Sequence, residues 1–79
     1  MYDIEDYIQI FQDILGLEEE ADIRTASCED VEEWDSHAHM ELMTAIEARL
    51  RVRLDGEDVA HFLSFEEGLE ILEKKGIAF

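Results

Sequence analysis

Between Trp34 and Leu50 the chain reads WDSHAHMELMTAIEARL, the stretch around which any fold has to be built. Apolar residues at Met40, Met43, Ala45, Ile46 and Leu50 follow the three-and-four spacing of a helix with one buried face. Asp35 or Ser36 suits the start of that helix, because a short oxygen-bearing side chain accepts from the first free backbone N–H groups. The spacing predicts a helix over about Ser36–Leu50, with Arg49 favourably placed near the negative end of its dipole. Such a face must be covered by other elements, and only 79 residues are present to supply them. That length allows one domain with a modest core, and it leaves little room for an enclosed, multi-walled enzyme pocket.

The covering elements are legible on either side. From about Asp3 to Leu15, one helical face carries Ile4, Tyr7, Ile8, Phe11, Ile14 and Leu15, and Asp3, Glu5 and Asp6 load the first turn with favourable negative charge. Gly16 suits the end of this helix, since glycine adopts the left-handed conformation without steric cost. From Leu17 to Trp34 the periodicity fades, and a connection of that length is unusual in so small a domain. Leu17, Ile23, Val31 and Trp34 are its candidate anchors, so the segment is expected to drape over the bundle. Val52 and Leu54 alternate with arginines and are expected to tuck inward from a loop. A short third helix is expected to be capped by Asp55 and to bury Val59, Phe62 or Leu63. Ser64, with Glu67 three residues on, has the signature of a capping box. It opens a last helix through Leu69, Ile71 and Leu72 that ends at Gly76, with Ile77 folding back as the apolar partner of the glycine cap.

Charge narrows the function classes. With 22 acidic residues against 6 basic ones, the formal net charge is −16, so phosphate backbones and anionic membrane surfaces are repelled. Basic protein partners are favoured, because complementary fields raise encounter rates and orient docking. No apolar run has the length of a membrane span and no basic-then-apolar start suggests a signal peptide. The single cysteine, Cys28, cannot form an internal disulfide, which fits a reducing compartment. The expected location is the cytoplasm.

At Asp35-Ser36, followed by His-Ala-His-Met-Glu-Leu-Met-Thr-Ala-Ile-Glu, the chain resembles the acyl carrier protein family. The usual family motif is Asp-Ser-Leu, an apolar residue, Glu, Leu, a second apolar pair and a closing Glu. The long first connection and the helix order extend the resemblance over the whole chain, and His37 departs from it where the family mostly has Leu. The resemblance implies an all-α fold, a small four-helix bundle with a long loop between the first two helices and a short third helix. It implies that Ser36 receives a covalent 4′-phosphopantetheine arm from coenzyme A, with Asp35 as the flanking recognition residue. It further implies a carrier of acyl or aminoacyl thioesters rather than an enzyme. The expected partners are a phosphopantetheinyl transferase and the loading and downstream biosynthetic enzymes, which would meet Glu41 and Glu47 through basic surfaces. The chain itself is expected to be a monomer.

Other readings of the same residues are weaker. His37 and His39 lie two apart on a helix, about 200° around its axis, and so cannot chelate one metal together. Glu18–Glu20 and Glu32–Glu33 read as solvated faces, and no EF-hand spacing is present. Cys28, beside Glu29 and Asp30, is a poor candidate for a catalytic thiol. Met40 and Met43 read as core. From a different class, the chain reads as an unmodified acidic interaction module that regulates a basic partner. A small hydrolase would need a nucleophile, base and orienting group, for which Ser36 and the nearby histidines are all the chain offers.

Overall fold

The computed structural model describes residues 2–79. Helix α1 spans Ile4–Leu15, α2 Glu20–Arg24, α3 Ser36–Leu50, α4 Gly56–His61 and α5 Phe65–Lys74, and no strand is present among the described residues. The fold is all-α. None of these helices is long and apolar enough to cross a membrane.

Each boundary has a local chemical cause. At the start of α1 the Asp3 N–H donates to Asp6 Oδ2 at 3.1 Å, and the helix stops at Gly16, whose φ of 71° is a conformation that favours glycine. The Asp55 carboxylate accepts from the Asp58 N–H at 2.8 Å to cap α4, and Asp58 returns the interaction to the Asp55 N–H at 3.1 Å. Ser64 caps α5 by accepting from the Glu67 N–H at 3.0 Å. The far end of α5 closes with Gly76 N–H on the Glu73 carbonyl and Ile77 N–H on the Leu72 carbonyl, both at 3.0 Å. That paired closure brings Ile77 back against the core. α3 ends differently, on Arg51 at φ 52°, with no glycine to relieve the left-handed turn.

The core sits between α1 and α3 and is closed by α5. Tyr7, Ile8, Ile10, Phe11 and Leu15 of α1 face Leu42, Met43, Ile46 and Leu50 of α3, with Phe62, Phe65 and Leu72 completing the interior. Aromatic rings form its centre. Tyr7 meets Phe11 edge to face at 4.9 Å between centroids, and Phe11 meets Phe65 at 5.3 Å and Trp34 at 5.6 Å. The Tyr7 hydroxyl crosses the domain to donate to the Phe65 carbonyl at 2.8 Å. Burial pushes that phenol well above its ordinary range. Gly68 lies against this bond, because a Cβ there would overlap Tyr7 Oη and the Phe62 ring.

Two expectations need correction. The connection between Leu17 and Trp34 holds a further helix, α2, supported by the Arg24–Glu20 pair one turn apart. Met40 is not core but 54 % exposed, and Leu42 takes the interior position. The phase of α3 against α1 decides this: Leu42, Met43, Ile46 and Leu50 form the inward stripe. At the end of α4 the expected burial holds through Phe62, one of the three candidates there, while Leu63 is exposed and Val59 partly covered.

The connection itself packs over the bundle. Ile23, Ala26 and Trp34 are buried, and Leu17 and Val31 pack partly against the same core. It is stitched to the start of α5 by two backbone bonds, Cys28 N–H to the Leu63 carbonyl at 2.9 Å and Phe65 N–H to the Ala26 carbonyl at 3.0 Å. α4 is held to α5 by the Lys75–Asp58 pair at 2.6 Å.

Candidate functional site

The start of α3 brings together most of the residues singled out from the sequence. Asp35 is the cap: its Oδ1 accepts from the Ala38 N–H at 2.8 Å. This leaves Ser36 as the first helical residue, exposed, with a hydroxyl that capping does not require. Ser36 is therefore a primary alcohol held at the positive end of a 15-residue helix, where a negatively charged substituent is favoured. No wall closes over it.

Around Ser36 the two acidic docking candidates occupy different situations. Glu41 is exposed and pairs with His37 one turn back at 2.6 Å, with the His37 side chain 85 % exposed. Glu47 is half-buried and its Oε2 accepts from the Leu54 N–H at 2.9 Å. It ties the returning chain to α3 near the far end of the helix. Asp35, Ser36 and Glu41 thus share the start of α3, while Glu47 stands apart from them.

One turn beyond Ser36 lies exposed Met40, on the same side of the helix by its four-residue spacing. A shallow groove runs from Met40 between α3 and α1, floored by Ile14, Ala45 and Ala48. It is predominantly apolar and open to solvent.

His39, by contrast, turns inward. Trp34 Nε1–H donates to His39 Nδ1 at 2.9 Å, and His39 Nε2 lies 2.9 Å from the Val59 carbonyl oxygen. The ring joins the end of the connection, α3 and α4. His37 and His39 therefore point to different partners. Among the described residues no group of three or more His, Cys, Asp or Glu comes together in a way that could hold a metal ion. The roles of His39 and Glu47 were not visible in the sequence, because their partners are backbone and indole groups brought near by the fold.

The start of α3 thus offers Ser36 as an exposed hydroxyl open to substitution. The serine is exposed, lies at a helix start, is relieved of capping by Asp35 and faces open solvent. No family model matches the chain, and no curated protein or solved structure matches it either.

Proposed function

We propose that the protein is an acyl carrier protein, which holds acyl or aminoacyl groups on a 4′-phosphopantetheine arm at Ser36 for partner enzymes. The observation that carries the reading is the division of labour at the start of α3: Asp35 caps the helix and leaves the Ser36 hydroxyl exposed for substitution. The arm, once attached, supplies a terminal thiol that carries its cargo as a thioester.

The chain's own residues account for the rest. The α3 N-terminus favours the negative charge that modification adds. Asp35 orients the first turn and flanks the hydroxyl for a transferase, which brings its own means of activating it. Glu41 and Asp35 offer carboxylates beside Ser36 to a basic partner surface, and exposed Met40 offers an apolar contact between them. Glu47, bonded to the Leu54 N–H, keeps the far end of α3 in place and contributes charge from there. On this reading the fold is a four-helix bundle of carrier type, with α1, α3, α4 and α5 as its helices and α2 as an ornament of the long first loop. Such a carrier acts by raising the effective concentration of tethered cargo at a docked enzyme, in the cytoplasm and as a monomer.

The test is intact mass after incubation with coenzyme A and a promiscuous phosphopantetheinyl transferase, beside Ser36→Ala. Gain of one phosphopantetheine by the parent protein alone supports the reading. No gain with several transferases, even after His37→Leu, hands the lead to the second reading, an unmodified acidic module that regulates a basic partner. The His37–Glu41 pair, directly after the serine, is what favours that alternative.

A further inference from the structure

The hydrogen bonds of His39 admit only one protonation state of its ring. An indole N–H can only donate and a carbonyl oxygen can only accept. Trp34 Nε1–H points at Nδ1, so Nδ1 carries no proton, and Nε2 must carry one to meet the Val59 carbonyl. A doubly protonated ring would set N–H against N–H on the Trp34 side while keeping its bond to Val59. We propose that His39 is a proton-operated latch, which in its neutral form holds Trp34 down at the foot of the Ser36 turn and in its protonated form releases it.

The position of the latch gives it reach. Trp34 is buried, packs edge-on against Phe11 and directly precedes the capping residue Asp35. The Trp34 backbone N–H donates to the Val31 carbonyl at 3.0 Å, and the His39 backbone N–H donates to the Asp35 carbonyl at 2.8 Å. Releasing the indole therefore loosens the last turn of the connection and the residue that presents Ser36. The α4 side stays attached through Val59.

Among the described residues no carboxylate forms an ion pair with the His39 ring. On α3, Asp35 is committed to the Ala38 N–H and Glu41 to His37. On α4, Asp58 is committed to Lys75 and to the Asp55 N–H. In the connection, Glu33 is exposed, and α1 reaches this region through Phe11. Among the described residues none of these carboxylates pairs with the His39 ring. His39 is thus a positioning residue for the Ser36 turn. The latch does not depend on modification of Ser36; only an effect on loading would rest on the carrier reading.

The test is NMR on the unmodified 15N-labelled protein between about pH 8 and pH 5, where imidazoles ordinarily change charge. Trp34 is the sole tryptophan, so its indole N–H gives one resonance. At high pH the His39 nitrogens should report the Nε2–H tautomer. As His39 protonates, indole exchange with solvent, corrected for its intrinsic pH dependence, should rise about two- to tenfold, the worth of one hydrogen bond. His39→Gln keeps an acceptor for the indole and cannot titrate, so the rise should vanish there; it should persist in His37→Gln. An Nδ1–H tautomer at high pH would overturn the proposal, as would indole exchange unmoved by His39 protonation. A rise retained in His39→Gln, or loss of the fold before His39 protonates, would overturn it too. If His39→Gln does not fold, the tautomer and exchange of the parent protein decide the matter.

Discussion

Gly68→Ala tests how the two ends of the chain meet. Gly68 lies within α5, where a helix ordinarily gains about 1 kcal/mol from alanine in place of glycine. Here a Cβ would overlap both Tyr7 Oη and the Phe62 ring. Neither can yield cheaply, since both side chains are fully buried and the Tyr7 hydroxyl is bonded to the Phe65 carbonyl at 2.8 Å. Overpacking of this kind costs about 1–3 kcal/mol, and displacing the hydroxyl forfeits a buried hydrogen bond of about 1 kcal/mol. After the gain in helix propensity, the net expectation is a loss of about 2 kcal/mol. For a domain of this size that lowers Tm by about 8–16 °C, readable by circular dichroism or calorimetry. Tyr7→Phe removes one of the two obstructions, so Tyr7→Phe/Gly68→Ala should lose less than the sum of the single changes. A Gly68→Ala protein as stable as the parent, or strictly additive changes, would refute this account of the packing.

Other perturbations read separate parts of the structure. Arg51 takes the left-handed turn at the end of α3 with φ 52°, so Arg51→Gly should stabilise the fold by about 1 kcal/mol, seen as a higher denaturation midpoint; a lower one would contradict the strain. The Arg49 guanidinium beside Asp13 and the Lys75 ammonium beside Asp58 hold both carboxyls below their ordinary range. A depressed carboxyl contributes stability above its unfolded value and loses it as pH falls through the folded one. Asp13→Asn and Asp58→Asn should therefore melt below the parent at neutral pH and converge with it in strong acid, whereas a constant gap would contradict the ion pairs. Lys75, raised by Asp58, should lose its share only in strong alkali. At a net charge of −16, Tm should rise between low and moderate salt as self-repulsion is screened, and a flat response would refute that term.

Much of the fold was legible because its causes are local. Gly16, Ser64 with Glu67, and Gly76 with Ile77 announce helix boundaries through residues a few positions apart, and the structure uses each. α2 was not legible, because five residues of EADIR are too short for periodicity to register. Apolar residues on α3 occur on more than one side, and only docking against α1 selects Leu42 over Met40 for the interior. At the candidate site, Asp35 and Ser36 could be read as neighbours at a helix start. Which one caps became plain only from the Asp35 bond to the Ala38 N–H. His39 meets Trp34 across the start of α3 and Val59 from twenty residues away, so no spacing rule could join them. Gly68 gave no signal either, since its reason for being glycine is a tyrosine sixty-one positions earlier.

On the carrier function proposed above, Ser36 and no other hydroxyl carries the arm. Trypsin releases Thr25–Arg49 as one fragment, which holds Thr25, Ser27, Ser36 and Thr44 together. After treatment with coenzyme A and transferase, fragmentation of that peptide by mass spectrometry should locate one phosphopantetheine on Ser36. An unmodified peptide, or the group on Ser27, Thr25 or Thr44, would contradict the account.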